Sequence, residues 1–89
     1  MRIEFDPAKS ERNAKLRGLP FDLAHDFDWS VAVYDLDSRR DYPEPRFVAL
    51  RHLGDRLHSI CFTPVDGGVR IISFRKASRR EVRYHAEKT

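Results

Sequence analysis

Two tight turn signals, Gly54-Asp55 and Asp66-Gly67-Gly68, cut the second half of the chain into three apolar runs, and nothing else in the sequence constrains the fold as much. Arg46–Leu53, Leu57–Thr63 and Val69–Phe74 are each of strand length. A parallel connection needs a dozen or more residues between strands, so runs joined this closely must form an antiparallel meander. The last run leads directly into a helix start over Ser78–Tyr84. Ser78 followed three residues later by Glu81 is a capping-box pattern. Its hydroxyl accepts from the Glu81 backbone N–H and its own N–H donates to the Glu81 carboxylate, for about 1 kcal/mol.

The first half supplies the covering layer. Ile3 and Phe5 alternate with polar neighbours, which predicts a short strand with one buried face. Asp6 as cap, Pro7 at the first helical position and Gly18 past the end bound a helix through Arg17. Its only apolar members are Ala8, Ala14 and Leu16, so a narrow apolar contact stripe is expected. Phe21, Leu23, Ala24 and Phe27 recur at helical spacing and predict a second, shorter helix, with Trp29 packing where it hands over to a strand at Val31–Leu36. Asp37–Pro45 is the one substantial loop, its two prolines barring a central strand. The predicted order is β-α-α-β-β-β-β-α in one domain over residues 1–89, an α+β fold with a single twisted antiparallel sheet and flanking helices.

Charge is divided unevenly along the chain. Residues 1–45 carry 7 cations and 10 acids, residues 46–89 carry 10 cations and 4 acids, and the sequence pI is near 9.4. Thirteen arginines against four lysines point to a polyanionic partner, because the guanidinium fork matches phosphate oxygens bidentately. No apolar run approaches the roughly 20 residues needed to span a membrane. The opening MRIEFD lacks the apolar stretch of a secretory leader. The single cysteine, Cys61, rules out an internal disulfide and a four-cysteine zinc site, so a cytoplasmic protein without cofactor is expected.

Most site chemistries fail on residue type. His52 and His58 on neighbouring strands have no accompanying ligands at metal spacing, Cys61 sits among apolar neighbours, and Gly67-Gly68 lacks the lysine of a phosphate-binding loop. Metal-free phosphoryl transfer on RNA remains. There the 2′-hydroxyl attacks the adjacent phosphate, and the protein supplies a base, a cationic clamp and an acid. Tyr42, Glu44 and Arg46 are two apart in an extended stretch and share a face. Strict alternation from Val69 onward puts Arg70 and Lys76 on one face and Arg75 on the other, while Arg79, Arg80 and Arg83 decorate the capped helix.

Together these stretches resemble the BrnT toxins of bacterial type II toxin–antitoxin systems. The resemblance runs through FDPAKSERNAKLRG at Phe5–Gly18, PFDLAHDFD at Pro20–Asp28, DYPEPRF at Asp41–Phe47, CFT at Cys61–Thr63 and RIISFRKASRREVRYH at Arg70–His85. Three departures stand out: Leu16-Arg17-Gly18 where Lys-His-Gly is common, Pro43 for a glycine, and Phe74 for a small residue. The resemblance implies a RelE-like ribonuclease fold, RNA cleavage that halts translation, and neutralisation by a BrnA-type antitoxin. Operator DNA would be met only through that antitoxin, in an oligomer with it. It places the catalytic weight on Glu44, Arg46, Arg70, Arg75 and Lys76 with Tyr42, and the nucleic-acid contacts on Arg79, Arg80, Arg83 and Tyr84. A catalytically silent RNA- or antitoxin-binding module of the same fold is the alternative.

Overall fold

The computed structural model describes residues 1–89. In chain order it contains β1 (Arg2–Glu4), α1 (Pro7–Arg17), a 3-10 helix (Phe21–Asp26), β2 (Val33–Leu36), β3 (Phe47–Leu53), β4 (Arg56–Val65), β5 (Gly68–Lys76) and α2 (Arg79–Lys88). The strands form one sheet in the order β1-β5-β4-β3-β2. The meander is as expected, with β2 on β3, β3 on β4 and β4 on β5 all antiparallel. Pro64 is tolerated inside β4 because β3 ends its pairing at Phe62 and leaves that stretch without a neighbour on one side.

The sheet is not wholly antiparallel: β1 pairs parallel with β5, placing Arg2 opposite Gly68, Ile3 opposite Val69 and Glu4 opposite Arg70. Ile3 thereby reaches the core alongside Val69 and Ile71. Gly68 permits the approach, since a Cβ there would collide with the Arg2 carbonyl. Gly68→Ala is therefore expected to displace β1 at a cost of about 1–3 kcal/mol. Thermal melting would show the loss, and hydrogen exchange should show the Arg2 and Glu4 amides unprotected.

The second helix is also corrected. Phe21, Ala24 and Phe27 are buried at a strict three-residue spacing, which a 3-10 helix eclipses on one side. They cover one sheet face together with Ile60, Phe62, Ala49, Val69, Ile71 and Phe74. Trp29 packs edge-on against Phe27 and Phe62 and donates its indole N–H to the Ala24 carbonyl at 2.9 Å, at the handover into β2.

The expected caps of α1 are present, with Asp6 accepting from the Ala8 N–H and Gly18 left-handed at φ 70°. Its expected apolar stripe is absent, and Leu16 is 81 % exposed. Polar groups hold the helix instead. The buried Ser10 hydroxyl accepts from the Phe21 N–H at 2.8 Å, and the Asn13 amide donates to the Leu19 and Phe74 carbonyls at 2.7 and 2.8 Å.

One irregularity in β5 decides where the cations go. Register runs from His58–Lys76 to Cys61–Ser73 and then slips, so that Phe62 faces Ile71 and Thr63 faces Arg70. Ile72 is the extra residue of a β-bulge. Ile71 and Phe74, three apart, can both enter the same core only because of it. The uninterrupted alternation expected from the sequence is thus overturned. Arg70 and Arg75 share a face with Thr63, Cys61 and Ser59, whereas Lys76 falls on the side of Phe74 and His58.

Candidate functional site

The face that carries Arg70 and Arg75 is covered from two ends. α2 packs at one end, with Tyr84 against Leu50, Leu57 and Ala77. At the other end the Asp37–Pro45 loop is tied down where the Thr63 hydroxyl donates to the Pro45 carbonyl at 2.6 Å and the Asp37 N–H donates to the Arg46 carbonyl at 2.8 Å. Between them opens a cleft of about 460 Å³. Arg17, Arg39, Arg75 and Arg80 line it, over a floor that includes Val48, Leu50, Ser59, Cys61 and Ser73, with Tyr84 on its wall.

Two carboxylates hold arginines in position. Glu81 accepts from both Arg75 nitrogens at 2.7 and 3.1 Å, from the Ser59 hydroxyl at 3.2 Å and from the Ser78 backbone N–H at 2.9 Å. The capping box is present as expected, but Glu81 also joins α2 to β4 and β5. Burial pushes the Glu81 carboxyl upward, and the Arg75 and Ser78 hydrogen bonds with the Arg75 charge more than offset it, leaving the pKa below its usual value. Ionised Glu81 is consequently an anchor and a poor base.

Asp37 anchors the opposite wall. Its side chain is 1 % exposed and accepts from Arg39 Nε and Nη2 at 2.9 and 2.8 Å. The Tyr42 hydroxyl lies 3.4 Å and the Cys61 thiol 3.8 Å from the same carboxylate. The Arg39 hydrogen bonds bring the Asp37 pKa from 3.8 down to about 2, against the opposing effect of burial. Burial, followed by the Asp37 charge, pushes the Cys61 thiol up, which suits an inert core group better than a nucleophile.

A pH dependence follows with a definite sign. Because the folded pKa lies below the unfolded one, the Asp37 contribution is full above about pH 4 and disappears as pH falls through about 2. It amounts to roughly 2 kcal/mol. Asp37→Asn should therefore melt lower than the wild type at pH 7, and the gap should close in melts taken near pH 2.

The expected catalytic residues divide into separate groups. Arg70 donates to Glu4 at 3.2 Å and to Glu44 at 3.4 Å, so the loop and β5 do meet. Arg46 lies over the Tyr42 ring at 4.1 Å, a cation–π contact that makes Tyr42 its platform. Arg75, Arg80 and Tyr84 line the cleft. Arg79 and Arg83 sit instead with Arg56 on another flank of α2. His52 and His58 occupy opposite sheet faces, His52 meeting the His85 ring and His58 meeting Phe74, so they form no pair. Phe74, one of the departures from the family pattern, is fully buried core.

Arg17, Arg39, Asp37, Ser59 and the second role of Glu81 escape the sequence reading. Asp37 and Arg39 are two apart in the loop, and Glu81 is six beyond Arg75, but only the bend of the chain gives those spacings meaning. No curated protein matches the chain. The sequence model of the ribonuclease toxin BrnT of type II toxin–antitoxin systems matches residues 5–81, from the entry into α1 to the glutamate that closes its capping box with Ser78 and binds Arg75. The chain therefore belongs to the BrnT family, the ribonuclease toxins of type II toxin–antitoxin systems.

Proposed function

We propose that this chain, as one domain with a RelE-like fold, is a cytoplasmic endoribonuclease that needs no metal, halts translation by cutting RNA, and is neutralised by a BrnA-type antitoxin through which alone it meets operator DNA. The observation that carries the proposal is the arginine-lined cleft in which Arg75 and Arg39 are each fixed by a largely buried carboxylate. Donors held in place before substrate arrives need no reorganisation as charge develops on the phosphate.

Arg70 and Arg75 stand opposite Thr63 and Ser59, four residues apart on β4, or about 13 Å along the strand. A phosphate lying between them is approached from both ends. Arg75 spends its bonds to Glu81 and the Lys76 carbonyl on two of its nitrogens and keeps further donors free. Glu44 takes the base role, because its side chain is 59 % exposed and holds only the long contact to Arg70, whereas Asp37 and Glu81 are committed anchors. It accepts the 2′-hydroxyl proton as that oxygen attacks phosphorus. The 5′-oxygen leaves, taking a proton from solvent water to end as a hydroxyl, and a 2′,3′-cyclic phosphate remains.

Arg46 and Arg70 share the phosphorane charge with Arg75. Arg80 and Tyr84 hold the flanking strand, Tyr84 by its ring and Arg80 by phosphate contacts. Arg17 stands where the family commonly has histidine. Its guanidinium contributes charge to the cleft wall but cannot donate a proton to the leaving oxygen at neutral pH. Purified protein incubated with single-stranded RNA in EDTA should leave 2′,3′-cyclic phosphate ends. Cleavage no faster than that of a Glu44→Gln/Arg70→Ala double variant would refute the enzyme and leave a silent RNA- or antitoxin-binding module.

A further inference from the structure

Arg56, Arg79 and Arg83 rim a shallow depression whose floor is Ala77 and Val82, on a flank of α2 that shares no residue with the cleft. None of these three arginines has a carboxylate within ion-pair distance, while Arg2, Arg39, Arg70 and Arg75 each do. Val82 is 46 % exposed although it lies mid-helix. Three uncompensated guanidiniums around an aliphatic floor repel one another, and they leave apolar surface in water.

We infer that this flank docks an acidic segment of a protein partner, with one aliphatic side chain seated on Ala77 and Val82 and carboxylates paired to Arg56, Arg79 and Arg83. Bidentate arginine–carboxylate pairs match the rim, and aliphatic burial matches the floor. RNA fits the floor poorly, because single strands are held by stacking on aromatic rings and none lines this depression. α2 thus presents one flank to the cleft and another to a regulator. The inference rests on the toxin reading for the choice of probe, the antitoxin that the family implies, and not for the chemistry of the surface.

The test titrates the full chain with a purified BrnA-type antitoxin. Arg79→Glu/Arg83→Glu should weaken antitoxin binding about 100-fold, since each reversal replaces an attraction by a like-charge contact. Val82→Ser should weaken it about fivefold while leaving every charge in place. Arg79→Glu adds an acid to the first turn of α2, where the helix dipole favours it, so the helix should persist in circular dichroism. RNA affinity of the same variants, read by gel shift, should fall far less than antitoxin affinity. Antitoxin binding unchanged in both variants, no complex with the wild type, or RNA affinity falling as far as antitoxin affinity would each overturn the inference. A chain that cuts no RNA leaves this titration intact, so the two failures are distinguishable.

Discussion

Replacing Arg75 by lysine should slow RNA cleavage by about 100-fold, the cost of losing one preorganised donor set at a developing charge. Lysine keeps the positive charge but not the fork that bridges both Glu81 oxygens, so the cation would no longer be held at a fixed point over the sheet. Glu81 would still be held by the Ser78 N–H and the Ser59 hydroxyl, which limits the damage to the fold. Single-turnover kinetics should place the loss in the chemical step, with RNA binding reduced only a few-fold. Unaltered cleavage would reduce Arg75 to a structural tie between β5 and α2, and a large drop in melting temperature would show that the ion pair mainly serves stability.

Phe74→Ala should be the most damaging single truncation in the core, at about 3–5 kcal/mol. The ring is fully buried and meets Phe27 and His58 edge-on at centroid distances of 6.3 and 5.9 Å. A domain has only about 5–15 kcal/mol in total, and one this small stands towards the low end. Urea denaturation should show the midpoint falling with little change in slope. A near-neutral result would mean that the neighbouring aromatics close over the gap. The geometry argues otherwise, because Phe27 is itself fixed by Trp29 and the backbone of residue 74 is held where its own carbonyl accepts from the Asn13 amide.

What was legible in the sequence depended on local chemistry. The turns at Gly54 and Gly67, the Asp6 and Gly18 caps and the Ser78–Glu81 box all emerge from residues within a few positions of one another. The parallel pairing of β1 was not legible, since it joins the first strand to the last and its only local trace is a second glycine in a turn. The 3-10 helix was misread as α because Leu23 supplied an extra apolar residue that blurred a strict repeat of three. The cleft stayed hidden because its parts are polar residues on strands: Ser59, Cys61 and Ser73 look like interruptions of a hydrophobic pattern until one face is known to carry a site.

The bulge at Ile72 has a consequence for how this chain tolerates change in length. Side-chain direction reverses at every step of a strand, so one inserted residue acts as an inverter on everything beyond it. Arginines five positions apart, a spacing that would otherwise oppose them, look out over the same surface. Deleting Ile72 alone would close the bulge into even alternation with Arg70 and Arg75 still above the cleft and Ile71 and Phe74 still in the core, whereas pairing the full length without the bulge would turn Arg75 from the cleft and Phe74 out of the core. One residue fewer at that point is therefore compatible with both the arginine-lined cleft and the hydrophobic core, and the same residue straightened into the ladder is not.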